Sequence, residues 1–113
     1  MTIYTDWPEE EIQRRSQALK ILKSALRLRI LAALAEADSY VTELAAHIRV
    51  SQPLLSWHLN QLRQAGFVTS ERHGRQVRYR LDRDALRAVL RDVETLLGLE
   101  PEPNATISQS GED

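Results

Sequence analysis

Between Ser51 and Leu81 the chain changes its hydrophobic period from helical to alternating, with Gly66 at the join. Leu55, Leu59 and Leu62 fall at i, i+4 and i+7, one stripe of a helix. Ser51 suits its N-cap, because the hydroxyl accepts a backbone N–H that has no intrahelical partner, and Pro53 is tolerated in the first turn. The helix is expected from Ser51 to about Gln64, closing at Ala65-Gly66. Alternation then takes over in Phe67-Val68-Thr69-Ser70-Glu71-Arg72, a turn is expected at His73-Gly74-Arg75-Gln76, and Val77 to Leu81 alternates again, so the segment reads as a β-hairpin. On its second strand Val77, Tyr79 and Leu81 share one face, while Arg78 and Arg80 share the other.

Upstream, Trp7-Pro8 followed by Glu9, Glu10 and Glu11 marks a helix start, with Pro in the first turn and acids at the positive end of the dipole; that helix should reach about Leu22. Ser24 caps a second helix that buries Leu26, Ile30, Leu31 and Leu34 and ends near Glu36. Asp38 to Val41 reads as a short extended connection, and Thr42 as the N-cap of a short third helix from Glu43 to Ile48. Downstream of the hairpin, Asp82 caps a last helix to about Leu97, whose face of Leu86, Val89, Leu90, Val93, Leu96 and Leu97 is broader than so small a domain can cover. Gly98 ends it. Three stretches are expected: an N-terminal extension over residues 1–7, one domain over 8–97, and an acidic, disordered tail over 98–113.

With 113 residues, 42% of them apolar, the chain has room for one domain with a thin core. No cysteine is present, which excludes disulfides, thiol redox sensing and thiolate metal sites. The longest apolar-leaning run, Ile30 to Ala35, is too short to span a bilayer, and the acidic N-terminus does not resemble a secretory leader. A cytoplasmic protein without a membrane partner is therefore expected. The net charge of −1 hides an uneven distribution. From Ser51 to Arg80 five arginines face the single acid Glu71, whereas Glu100, Glu102, Glu112 and Asp113 make the tail negative.

A short helix, a tight connection, a helix of about three turns and a basic hairpin together describe a mainly α, winged helix-turn-helix fold of about five helices, in the order α1-α2-α3-α4-β-β-α5. Such a helix fits the DNA major groove with its N-terminal residues at base edges, and the hairpin reaches phosphate or the minor groove beside it.

A more specific resemblance lies in Leu22 to Leu31, Thr42-Glu43-Leu44-Ala45, Ser51-Gln52-Pro53, Ser56-Trp57-His58-Leu59 and Leu62 to Val68. Together these look like the ArsR/SmtB family of winged-helix transcriptional repressors, over roughly Leu19 to Leu81. The resemblance implies a homodimer built on the first and last helices, bound to a partly palindromic double-stranded operator and released by an inducer that the sequence does not identify. Dimer contacts would then come from Ile12 and Leu19 on the first helix and from Leu86, Val89, Leu90, Val93 and Leu97 on the last. The resemblance also makes Arg27 an arginine that ties helices together. Three departures stand out. The third-helix cysteines of arsenic and cadmium sensors are replaced by the Val41-Thr42-Glu43-Leu44 neighbourhood, and Asp82 to Leu97 holds no histidine of the kind used by zinc and nickel sensors. Arg49 stands where the family usually has Gly or Asn, so it must accept a turn conformation or force another.

Gln52, Pro53, Ser56 and Trp57 project from the first two turns opposite the leucine stripe and are the candidates for base edges. Ser51 is a cap, a phosphate contact or both, and His58 is either a structural hydrogen-bonding residue or a DNA contact. Arg72, His73, Arg75 and Arg78 are the candidates for phosphate or the minor groove, whereas Arg80 could instead pair with Asp82 or Asp84. Thr42 and the donor-rich start of the third helix suit a phosphate. No nucleophile-base pair, phosphate loop or metal triad appears, so neither catalysis, nor a metal, nor a cofactor is expected. The rival readings are a winged helix that binds protein without DNA, and a metal-responsive regulator using His47 or His73 with N-terminal acids.

Overall fold

The computed structural model describes residues 7–99; the start of the expected extension and nearly all of the expected tail lie outside them. The elements run α1 (Glu9–Leu22), α2 (Ala25–Glu36), β1 (Ser39–Tyr40), α3 (Val41–Ile48), α4 (Gln52–Gln64), β2 (Val68–His73), β3 (Gln76–Leu81) and α5 (Arg83–Leu97). These five helices and their small sheet make up the expected winged helix-turn-helix.

The caps act where the side chains require. The hydroxyl of Ser24 accepts from the Arg27 N–H at 3.2 Å, that of Ser51 from Leu54 at 3.3 Å, and the Asp82 carboxylate from Ala85 at 3.1 Å. Pro8 is the N-cap of α1 rather than a residue of its first turn, and its carbonyl accepts from Glu11 and Ile12.

The third helix starts earlier than its sequence suggests. Its N-cap is Tyr40, and Thr42 is the second helical residue. Two forces move the start: Tyr40 is held extended by pairing with Arg78 of β3, and the Glu43 carboxylate reaches back to accept from the Tyr40 N–H at 3.1 Å. The extended connection is thereby a strand, and the hairpin becomes an antiparallel three-stranded sheet in the order β1-β3-β2. His73 pairs with Gln76, so the turn shortens to Gly74-Arg75. Gly74 has φ +66°, as the first central residue of a two-residue type II′ hairpin requires.

The core is a cluster of twelve residues, eleven drawn from α2, α3, α4 and the sheet and one, Phe67, from the connection between α4 and β2. Ile30, Leu55, Leu59 and Leu62 are fully buried, and Phe67 and Val68 close it beneath the sheet. Neither α1 nor α5 contains a buried residue; Leu86 and Val89 pack against the core from outside. The Arg15 guanidinium joins the two helices, pairing with Glu11 at 2.8 Å and Asp92 at 3.6 Å and lying 4.4 Å from the Trp7 ring. Among the described residues, no helix is long and apolar enough to cross a membrane.

Candidate nucleic-acid interface

Two helices and the sheet converge on one cleft. The leucine stripe turns Leu55, Leu59 and Leu62 into the core, which leaves Gln52, Pro53, Ser56 and Trp57 on the exposed side of α4. The tight turn carries Arg75 back toward them. Val41, Thr42, Gln52, Ser56, Arg75, Gln76 and Val77 line a cleft of about 210 Å³ between the starts of α3 and α4 and the hairpin tip. Residues from the first turns of two helices thus line it beside a guanidinium, an arrangement that suits an anionic backbone lying next to hydrogen-bonding side chains. Although Thr42 is not a cap, it still lines this cleft.

The other arginines of the hairpin separate by strand face. Arg75 lines the cleft, whereas Arg78 lies with Arg80, Glu71 and Thr69 around Asp38 on a different part of the sheet. Asp38 Oδ2 is 3.4 Å from Arg80 Nε and 3.8 Å from Arg78 Nη2. Arg80 therefore pairs with Asp38, not with Asp82 or Asp84. Those two carboxylates are engaged elsewhere, Asp82 capping α5 and Asp84 pairing with Arg87 at 3.2 Å. Arg72 Nη1 donates to the Gly74 carbonyl at 3.5 Å, and His73 stands 3.4 Å from Glu71 and edge-on to Tyr40.

The connection between α3 and α4 passes through Arg49, which adopts the left-handed conformation at φ 69° and ψ 50°. Its N–H and that of Val50 both donate to the Ala45 carbonyl, at 2.8 and 3.2 Å. The chain thus keeps the sharp turn with an arginine where a glycine would carry no steric cost.

On the side of α4 that faces α2, Arg27 Nε donates to His58 Nδ1 at 3.0 Å and Arg27 Nη1 to the Ile21 carbonyl at 3.2 Å. The guanidinium carbon lies 5.5 Å from the Trp57 ring centroid, and the Trp57 and His58 rings meet edge to face at 5.0 Å. Burial, with the Arg27 charge as a second cause, holds the imidazole below its ordinary pKa of 6.5. Half-buried His58 is thus already hydrogen-bonded within the protein, while Trp57 remains 55% exposed. Leu54, 43% exposed in the first turn of α4, also lies on this surface. Sequence reasoning missed it, although its place outside the i, i+4, i+7 stripe was a usable signal. Among the described residues, no three His, Asp or Glu side chains gather as a metal site would need.

Comparisons with known proteins agree with this architecture. The family profile described as "Bacterial regulatory protein, arsR family" matches residues 24–70. The HTH-type transcriptional repressor SmtB of Mycobacterium tuberculosis is 42% identical over 74 residues, covering 66% of this chain and 55% of that protein. The chain therefore spans little more than half of that relative. The HTH-type transcriptional regulator CmtR of the same organism is 39% identical over 93 residues, covering 78% of this chain and 79% of the relative. Among solved structures, an ArsR-like transcriptional regulator from Rhodococcus superposes with a TM-score of 0.70 at 29% identity, covering 90% of this chain and 96% of the other.

Proposed function

The chain belongs to the arsR family of bacterial regulatory proteins, and on that premise we propose that it is a sequence-specific DNA-binding transcriptional regulator. It works as a homodimer on a partly palindromic operator and acts as a repressor, the role named for its relative SmtB. An unidentified inducer releases it. The observation that carries the reading is the cleft in which Gln52 and Ser56 of α4, Thr42 of α3 and Arg75 of the hairpin meet.

In this reading Gln52, Pro53, Ser56 and Trp57 approach base edges, with Gln52 suited to adenine and Trp57 to thymine methyls or sugar. Ser51 and Thr42 present helix N-termini to phosphate. Arg75 is the principal anchor of the wing, supported by Arg72 and His73. Arg78 contributes less, because it shares the Asp38 carboxylate. The working unit is residues 8–97, with α1 and α5 forming the dimer; Leu19, Leu90 and Leu97 remain exposed there for a partner to cover.

Mobility shift with duplexes selected from random sequence tests this, at low and moderate salt. Gln52→Ala should weaken the selected duplex more than a random one, whereas Arg75→Ala should weaken both about equally and flatten the salt dependence. Equal specificity ratios in the two variants would refute the assignment. Failure to retain any duplex at low salt would instead favour a protein-binding winged helix.

A further inference from the structure

We propose that His58 is a positioning residue for sequence reading: its neutral imidazole, held by Arg27, orients the exposed Trp57 ring on the DNA-facing side of α4, and protonation of the imidazole releases that ring. The proposal rests on the regulator reading above and adds to it a proton-sensitive step.

The geometry is one-directional. A guanidinium only donates, so the Arg27 Nε–H at 3.0 Å requires a lone pair on His58 Nδ1 and leaves the imidazole proton on Nε2. A second proton would sit on Nδ1, setting one N–H against another and one cation against another. The contact cannot survive it. Of the elements packed here, α2 supplies Arg27, the charged group that faces the imidazole, and α1 supplies the Ile21 carbonyl that holds Arg27 from the other side. On α4 itself the imidazole meets the Trp57 ring at 82°, and the same ring lies near the guanidinium. Trp57 is therefore located by two groups whose mutual contact depends on the charge of one of them. Neighbouring Leu55 and Leu59 are fully buried, so α4 itself stays fixed when the contact opens. The change falls on Trp57 and leaves the wing anchor at Arg75 in place, so it should alter sequence discrimination more than general affinity.

The experiment uses the full chain carrying Trp7→Phe, so that Trp57 is the sole indole. Its emission maximum should shift to the red as the pH is lowered from about 7.5 to about 5, because protonation of the imidazole in that range frees the indole from its edge contact and exposes it further to water. A duplex selected from random sequence by the wild-type protein at about pH 7.5, compared with a random duplex, should lose on the order of tenfold in specificity over that range, the loss expected of one hydrogen bond from a charged donor. His58→Gln, whose side-chain oxygen accepts from Arg27 but does not titrate, should hold the ratio nearly flat. A wild-type acid profile retained in His58→Gln would overturn the proposal, as would emission indifferent to pH. Nitrogen chemical shifts of the wild-type imidazole give a reading that needs no variant: a proton found on Nδ1 at neutral pH would also overturn it. If the protein selects no duplex at any pH, the regulator reading falls and the sequence-reading role falls with it. If it selects one while the emission or the tautomer disagrees, only the role of His58 falls.

Discussion

The chain is built from two regions with opposite relations to water. The unit of α2, α3, α4 and the sheet closes on its own core, with eight side chains under 2% exposed. The α1/α5 pair has no buried residue, although α5 alone carries six apolar positions on one face. Burial per residue is what distinguishes a unit that folds by itself from one that needs a partner. In the proposed regulator the DNA-reading surface would rest on the self-sufficient part, and the dimer's symmetry on the part that is not.

The largest effect expected is in the first region. Leu59 is fully buried beneath α4, so Leu59→Ala should destabilise by about 2–5 kcal/mol through lost burial and an unfilled cavity. Chemical denaturation should show this loss at every protein concentration. A loss under about 1 kcal/mol would mean that the core is not the close-packed unit described here. In the second region, Leu90→Asp with Leu97→Asp should leave the helical circular dichroism nearly intact while weakening self-association by at least about tenfold, since each leucine is more than half exposed in the single chain and is proposed to be covered by a second copy. Sedimentation across a concentration series measures this. A change in helicity as large as that of Leu59→Ala would erase the contrast between the regions.

How far the sequence revealed these regions depended on how local the determining force was. The caps of α2, α4 and α5 and the stripe on α4 are set by residues within one or two turns, and each lies where its sequence pattern puts it. The strand β1 has two residues and no period to display; it exists because Ser39 and Tyr40 pair with Tyr79 and Arg78. That distant pairing also displaced the start of α3, with Thr42 mistaken for its cap. Asp38 as the partner of Arg80 was hidden for the same reason, while the nearer Asp82 and Asp84 drew attention. Of the site, the exposed face of α4 was legible from helical phase. The division between Arg75 and Arg78 was not, because it depends on where a two-residue turn aims its tip.

Acid should separate the regions in a second way. The folded imidazole of His58 titrates below 6.5, so the unfolded chain binds more protons in the window beneath that value, and stability falls as the pH drops through it. Glu11 on α1 titrates below its ordinary 4.5, first because Arg15 hydrogen-bonds its carboxylate and next because of the Arg14 charge. Its contribution is present above 4.5 and is lost only as the pH falls further, through the folded value. Denaturant midpoints across a pH series should therefore fall first in the His58 window and again only at the lower pH of the Glu11 window. His58→Gln should abolish the earlier step alone. The Glu11 step should also shrink with added salt, because that carboxylate remains partly exposed to solvent.

The smallest effect belongs to the hinge between α3 and α4. Arg49 holds φ 69°, the sole positive φ at a non-glycine among the described residues. A side chain there costs about 1–2 kcal/mol of steric strain, partly offset in any glycine variant by the greater freedom of the unfolded chain. Arg49→Gly should thus stabilise by about 0.5–1 kcal/mol, and Arg49→Ala, which keeps the Cβ and the strain, should not. Denaturant midpoints of the two variants at one salt concentration measure the difference. Both remove the same charge, so any shared loss of duplex affinity reports the guanidinium, and only the difference between them reports the backbone. If glycine fails to exceed alanine in stability, the turn is not strained, and the two helices are held at their angle by Leu44, Ala45 and Leu55 packing in the core rather than by the connection.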